Sequence, residues 1–151
     1  MEKEKKNIII GSDHAAYPLK NRIKEFLSAR GFDVTDVGTH GIDSVDYPDY
    51  GIKVAKNVSL GKFKTGILLC GSGIGMSMVA NRFPHVRAAL CSDVSSAAMS
   101  RRHNDANILV MGARAIQESL ALEMTDEWLK TPFDGGRHQA RLDKFDEIKG
   151  I

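Results

Sequence analysis

A cysteine directly before a glycine-rich turn is the clearest candidate for chemistry in this sequence. Cys70 precedes the run Gly71-Ser72-Gly73-Ile74-Gly75. Between a strand and a helix, such glycines let backbone N–H groups converge at the positive end of the helix dipole, where they favour an anion. A cysteine at that point should form its thiolate more readily than a free cysteine does, and a thiolate can act as a base. An alternative of equal weight is that Cys70 only packs in the core, because free cysteines are among the most buried residue types.

The same turn allows two further interpretations. Ser72 could relay a proton beside the anion site, or it could cap the helix that follows. The turn could also bind the pyrophosphate of a dinucleotide, with Asp93 at the distance of a ribose-binding acid. Against a dinucleotide, Met76 stands where the third glycine of that fingerprint belongs, and little chain is left for a substrate domain. The pattern therefore favours a smaller anion.

The histidines show no metal-ligand spacing, so no metal and no other cofactor is predicted. Asp13 could orient His14 for acid–base work, but it could equally cap a helix. His103 falls at a predicted helix end, where a cation is favourable on the helix dipole without any further role. From the residues alone, a purely structural role is favoured for Asp13, His14 and His103.

Two arginines near the end of the chain are four residues apart. This spacing puts Arg137 and Arg141 on one face of a helix, where they could bind a phosphate group, although a solvated basic face is the simpler alternative. Arg114, at the end of a predicted strand, could add a third positive charge. Together they suggest a phosphate monoester as ligand.

The elements that must position these groups can be predicted from the hydrophobic pattern. Predicted strands cover 8–10, 33–37, 66–69, 88–91 and 108–111, and predicted helices cover 18–30, 49–60, 73–81, 94–103, 115–130 and 139–148. This alternation predicts an α/β fold: a doubly wound, Rossmann-like αβα sandwich with a five-stranded parallel sheet and a C-terminal helix. Ligands of such sheets bind at the carboxyl ends of the strands.

Composition narrows the function further. The 151 residues are 42% hydrophobic, which is enough for a single domain over 1–151. The 21 basic and 19 acidic residues give no global reason to expect nucleic acid. The apolar runs are too short to span a membrane, so we expect a cytoplasmic protein with Cys70 and Cys91 as free thiols.

The motifs taken together resemble the type B ribose-5-phosphate isomerases, which share a superfamily with the galactose-6-phosphate isomerase subunits. The resemblance extends over nearly the whole chain. It rests on five segments: Gly11-Ser12-Asp13-His14, Asp46-Tyr47-Pro48, Cys70-Gly71-Ser72-Gly73-Ile74-Gly75, Ser100-Arg101-Arg102-His103-Asn104-Asp105-Ala106-Asn107 and Gly135-Gly136-Arg137-His138.

This resemblance implies a metal-independent interconversion of ribose 5-phosphate and ribulose 5-phosphate, a reaction of the pentose phosphate pathway. By resemblance, His103 and Asp13 help to open the furanose ring, Cys70 moves a proton between C2 and C1, and Ser72 shuttles the hydroxyl proton. Backbone amides of the turn would hold the enediolate oxygen. The implied substrate-binding residues are His14, Tyr47, Gly71, Gly73, Ile74, Gly75, Asn104, Arg114, Arg137, His138 and Arg141.

Members of this family are homodimers, or dimers of dimers, with active sites shared across a two-fold interface. The resemblance thus implies that His103, Asn104 and Arg114 can serve the Cys70 of a neighbouring subunit. One departure is Ser72, where many members have threonine; the hydroxyl is kept, but its position is less constrained.

Two other functions compete with this one. An isomerase of a six-carbon sugar phosphate, such as allose 6-phosphate, would leave every residue named above unchanged, whereas the galactose type lacks the segment around His103. A non-catalytic nucleotide- or flavin-binding module belongs to a different class. A flavin site would need aromatic residues in the strand-end loops to stack on the flavin ring, but the single tryptophan, Trp128, falls in a helical pattern.

Overall fold

The computed structural model describes residues 6–150, so residues 1–5 and 151 of the predicted domain lie outside it. The described strands are β1 (Lys6–Ser12), β2 (Phe32–Asp36), β3 (Gly66–Cys70), β4 (Ala88–Leu90) and β5 (Ile108–Gly112). The described helices are α1 (Tyr17–Ala29), α2 (Tyr47–Ser59), α3 (Ile74–Ala80), α4 (Val94–Asn104), α5 (Glu118–Lys130) and α6 (Arg137–Asp143), followed by a 3-10 helix (Lys144–Glu147). All five predicted strands are therefore present.

The strands form one parallel sheet in the order β2-β1-β3-β5-β4. Every residue of β3 and β5 is buried, which explains why these strands appear as continuous apolar runs without alternation. One apolar cluster joins the sheet to α1, α4 and α5, and a second joins it to α2 and α3. Helices thus cover both faces, and the prediction of a doubly wound α/β fold is confirmed.

The helix bounds differ from the predicted ones where turns precede the helices. α5 begins at Glu118 instead of residue 115, because the backbone forms a turn after Gly112, with Ala115 N–H bonded to the Gly112 carbonyl. α6 begins at Arg137, two residues earlier than predicted, directly after the Gly135-Gly136 pair, whose positive φ angles end the preceding loop. These shifts leave the predicted architecture unchanged.

A buried lysine fastens the loop between β2 and α2. Lys20, fully buried on α1, donates hydrogen bonds to Asp36 Oδ1 at 2.7 Å and to the Thr39 carbonyl. Lys24 and the Gly38 N–H also donate to the Asp36 carboxylate. Burial alone would raise the pKa of Asp36, but these donors outweigh it and hold the pKa below its usual value. The loop is therefore tied to the core at its base.

Within residues 6–150, each helix is too short or too polar to span a lipid bilayer. Cys70 and Cys91 are both free thiols, as expected.

Candidate active site

A cavity of about 650 Å³ opens at the carboxyl ends of β1, β3 and β5, and we call it the Cys70 cavity. Adjacent β1 and β3 send their connections toward opposite edges of the sheet, so the cavity lies at the switch point where doubly wound sheets bind ligands. Its lining consists of Asp13, Tyr47, Cys70, Gly71, Ser72, Ile74, Gly75, Met78, Arg114 and Ala115. Eight of these ten residues were candidates from sequence.

Cys70 ends β3 and has only 5% of its surface exposed. The backbone N–H of Gly73 donates a hydrogen bond to its Sγ over 3.1 Å. Gly73 has a φ of +80°, and a Cβ there would lie 2.5 Å from Cδ1 of Leu90, so the turn that aims this N–H requires glycine. Cys70 also belongs to the apolar cluster under α2 and α3. Cys70 therefore packs in the core and also presents its sulfur to a hydrogen-bond donor of the turn.

Ser72 lies exposed at the mouth of the cavity. Its Oγ accepts a hydrogen bond from the Ile74 N–H at 3.2 Å. The capping alternative is thus partly realised, although Gly73 occupies the cap position itself. Because the hydroxyl oxygen acts as the acceptor, its hydrogen is still available for donation to a ligand.

Asp13 follows β1 and is 8% exposed. One carboxylate oxygen accepts a hydrogen bond from the Ala16 N–H at 3.1 Å, in the turn directly before α1; the cap residue of α1 is Ala16, so Asp13 is not the helix cap that the alternative expected. The Asp13 N–H reaches the Leu69 carbonyl on β3, which brings Asp13 next to Cys70. The carboxylate therefore has both a structural contact and a position in the cavity.

Arg114 supplies positive charge to the same cavity. Its backbone N–H bonds to the Gly71 carbonyl at 2.9 Å, and its Nη1 would lie 3.2 Å from a Cβ on Gly71. The guanidinium thus lies over the glycine turn. Arg114 therefore accompanies the Cys70 of its own chain, which differs from the expectation that it serves a neighbouring subunit.

Tyr47 closes one side of the cavity from the start of α2. A Cβ added to Gly75 would lie 2.5 to 2.8 Å from three atoms at the hydroxyl end of the Tyr47 ring. The ring and hydroxyl thus occupy the space that any side chain at residue 75 would need.

His14, just outside the cavity lining, has a defined tautomer. Its Nδ1 accepts a hydrogen bond from the Val45 N–H at 3.1 Å. In the neutral ring the proton is then on Nε2, which can donate to an anion. Val45 belongs to the loop that Lys20 fastens, so α1 indirectly orients His14.

The remaining candidates form a second group. The rings of His103 and His138 stack with centroids 4.3 Å apart, and side-chain ligand atoms of these histidines and Asp134 lie within 4.8 Å of one another. Partial burial lowers the pKa of His138, and the neighbouring His103, Arg137 and Arg141 add to this effect. Arg137 and Arg141 both project from α6, as predicted, and Asn104 ends α4. This group is hereafter the His103 cluster.

The Cys70 cavity and the His103 cluster lie at opposite ends of the sheet. α4 runs back from the carboxyl end of β4, so its last residues reach the amino ends of the strands, where the Asn107 carbonyl accepts a bond from the Gly66 N–H. Gly66 and Cys70 are the two ends of β3, a separation of about 13 Å. A single chain therefore does not bring the predicted site residues together.

Asp93 and Cys91 both lie just after β4. Asp93, considered as a ribose-binding acid, accepts a hydrogen bond from the Ser96 N–H at 2.6 Å and caps α4; that bond lowers the pKa of Asp93. Burial raises the pKa of the Cys91 thiol, which makes it a weaker nucleophile and a useful reference for Cys70.

Sequence reasoning missed four residues around these groups. Met78 and Ala115 line the Cys70 cavity, Val45 orients His14, and Asp134 joins the His103 cluster. Met78 was detectable, since it lies one helical turn after Ile74. The others act through backbone or loop positions, for which the sequence carries no signal.

The fold and the site define an α/β protein with a cavity at the switch point of its sheet, lined by a thiol, a carboxylate and a guanidinium group. A family model described as Ribose/Galactose Isomerase matches residues 8–145, and the chain belongs to this family. The ribose-5-phosphate isomerase B of Escherichia coli is 42% identical over 144 residues, which cover 95% of this chain and 97% of that protein.

Solved structures agree. The ribose-5-phosphate isomerase B of Clostridium thermocellum is 53% identical with a TM-score of 0.92, over 94% of this chain and 96% of that one. The Mycoplasma genitalium enzyme, solved with bound ribulose-5-phosphate, is 39% identical with a TM-score of 0.91, over 95% and 97% of the two chains. The resemblance noted from the motifs is confirmed.

Proposed function

We propose that this protein interconverts D-ribose 5-phosphate and D-ribulose 5-phosphate through an enediolate, with Cys70 as the base. The observation that carries the proposal is the Gly73 N–H bonded to Cys70 Sγ inside a cavity that also holds Asp13, Ser72 and Arg114. Removing a proton from carbon next to a carbonyl needs a positioned base and preorganised donors, and this turn offers both. No metal is required for these steps.

The reaction begins with opening of the furanose ring. The proton of the C1 hydroxyl leaves while the ring oxygen gains one, and the C1–ring oxygen bond breaks to give the aldehyde. Asp13 and His103 are the proposed acid–base groups for this exchange. The phosphate would be held by arginine side chains, which bind it bidentately, together with His14 through Nε2.

Proton transfer between carbons follows. The Cys70 thiolate takes the C2 proton, the electron pair moves to the C1 oxygen, and amides of residues 71–75 stabilise the charge. Ser72 transfers the C2 hydroxyl proton to the C1 oxygen, and the Cys70 thiol returns its proton to C1. The product is the ketose, with all protons accounted for.

His103 and Cys70 can act on one substrate only if two copies of the chain meet. The surface beside the Cys70 cavity supports such a contact: Ile74, Met78 and Leu90 are 51%, 65% and 42% exposed, and β4 is an edge strand. Apolar side chains beside an unpaired strand edge favour association with another chain. The proposed enzyme is therefore at least a homodimer, with the His103 cluster of one copy facing the Cys70 cavity of the other.

Mixing two inactive variants tests this arrangement. Cys70→Ala and His103→Ala should each be inactive alone. Unfolded together and refolded in equal amounts, they should recover about a quarter of wild-type activity, because half of the dimers are mixed and each has one intact site. No recovery, with native gels showing that mixed dimers formed, would contradict a shared site.

The substrate is tested by comparing rates for ribose 5-phosphate and allose 6-phosphate in the presence of a chelator. Faster ketose formation from ribose 5-phosphate is expected. Preference for the six-carbon sugar would keep the mechanism and change the substrate. If neither sugar reacts and the protein instead binds a nucleotide or flavin, the binding-module alternative gains support. The cytoplasmic location stays a prediction.

A further inference from the structure

We propose that His103, Asp134 and His138 form a binding site for a divalent transition-metal ion such as Zn²⁺, and that its occupation inhibits the enzyme. The inhibitory part rests on the proposed function of His103. The binding part depends only on the three side chains. Two imidazoles and a carboxylate are a common set of protein ligands for zinc, with a water molecule in the fourth position.

The ligand atoms are already close to the arrangement that zinc needs. They lie within 4.8 Å of one another. In a tetrahedral site with bonds of about 2.1 Å, neighbouring ligand atoms are about 3.4 Å apart, so modest side-chain rotations would suffice. Asp134 is exposed and both histidines are half-buried, and the stacked rings of His103 and His138 would have to tilt so that both face one ion.

The backbone holds the three residues together from two elements. The Asp134 N–H donates to the Arg102 carbonyl at 3.0 Å, which joins the loop before α6 to the last turn of α4. The His138 N–H, in the first turn of α6, donates to the Gly135 carbonyl of that loop at 3.1 Å. The ligands are therefore brought together before any ion binds, and binding requires little ordering of the chain.

The surrounding charge limits the affinity. Arg102, Arg137 and Arg141 lie on the elements that carry the ligands, and they oppose a dication. A reversible site that competes with a phosphate ligand fits this balance better than a permanent metal centre. A bound ion would take the imidazole lone pair of His103, so that this ring could no longer accept a proton.

Binding is measured first without reference to activity. In Cys70→Ala protein, which lacks the competing cavity thiol, equilibrium dialysis should find one Zn²⁺ per chain, and Co²⁺ should give the visible absorption of a tetrahedral site. Adding Asp134→Asn should weaken binding at least tenfold, whereas Asp143→Asn, which removes an exposed carboxylate of α6, should not. Absence of stoichiometric binding, or equal binding in the Asp134→Asn protein, would overturn the site.

Inhibition is measured second, on chains with Cys70 intact. Zn²⁺ should inhibit the wild type reversibly, with recovery on adding a chelator. Each protein is compared with its own rate without metal, and on that scale the Asp134→Asn variant should resist Zn²⁺ by a similar tenfold factor. Inhibition that is equal in both proteins would overturn the inhibitory role and point to Cys70 as the target. An inactive wild type that still binds Zn²⁺ would refute the proposed function and leave the metal site standing.

Discussion

The backbone N–H of Gly73 is aimed at Sγ of Cys70 over 3.1 Å. Negative charge on the sulfur strengthens such a bond, since hydrogen bonds to ionised acceptors are roughly twice as strong as neutral ones. A thiol in this position is suited to a reaction in which sulfur is charged before proton transfer and neutral after it.

Replacing this thiol tests its role as base. Cys70→Ala should lower kcat for ribose 5-phosphate about 10²- to 10⁴-fold, because a general base is lost. Binding of the sugar phosphate by calorimetry should change little, since the phosphate contacts remain. Cys91→Ala, a buried thiol outside the cavity, is the matched control and should keep its activity. Retention of most activity in Cys70→Ala would refute the assignment.

The contact between Tyr47 and Gly75 can be tested by a double-mutant cycle. Gly75→Ala should reduce kcat/KM at least tenfold, because the new Cβ would collide with the Tyr47 ring. In a Tyr47→Ala background the same substitution should have little further effect, and helix propensity even favours alanine there. Additive losses would show that the two residues act independently.

The arginines of α6 are expected to act on binding. Arg137→Ala and Arg141→Ala should each raise KM about tenfold with a smaller change in kcat, because a charge-assisted contact remote from the reacting carbons is removed. Arg30→Ala, an exposed arginine directly after α1, serves as the reference. An unchanged KM in both variants would exclude these residues from the phosphate site.

The buried pair Lys20–Asp36 should make stability depend on pH. The folded-state pKa of Asp36 is lowered, so its contribution is complete above the ordinary aspartate pKa of about 4 and is lost as the pH falls through the lower folded value. Asp36→Asn should cost about 3 kcal/mol at pH 7, since it leaves buried Lys20 without its partner.

Urea unfolding as a function of pH measures this effect. The difference between wild type and Asp36→Asn should shrink below pH 4, as the wild-type carboxylate becomes protonated. Asp33→Asn, an exposed aspartate on the same strand, should show no such trend. A constant difference between Asp36→Asn and the wild type down to pH 2 would contradict the assigned direction.

The sequence predicted the fold and the position of Cys70 at the sheet edge. It did not predict where His103 and Asp134 lie, for a physical reason. Cys70 and the glycine turn are contiguous and follow a strand, so their place at the sheet edge follows from the alternation of elements. The position of His103 depends on the direction and length of α4, and the proposed meeting of His103 with Cys70 would need a second chain. Asp134 joins the histidines through a loop whose shape is set by tertiary contacts.

The distance along β3 between Gly66 and Cys70 has a consequence for kinetics. Because the two proposed acid–base groups lie at opposite ends of this strand, a lone chain would hold only half of the machinery for any one substrate molecule. Mass action then governs the rate: on strong dilution, the number of competent sites falls with the square of protein concentration. Turnover per chain should decline in such assays and recover on concentration, even though every chain stays folded.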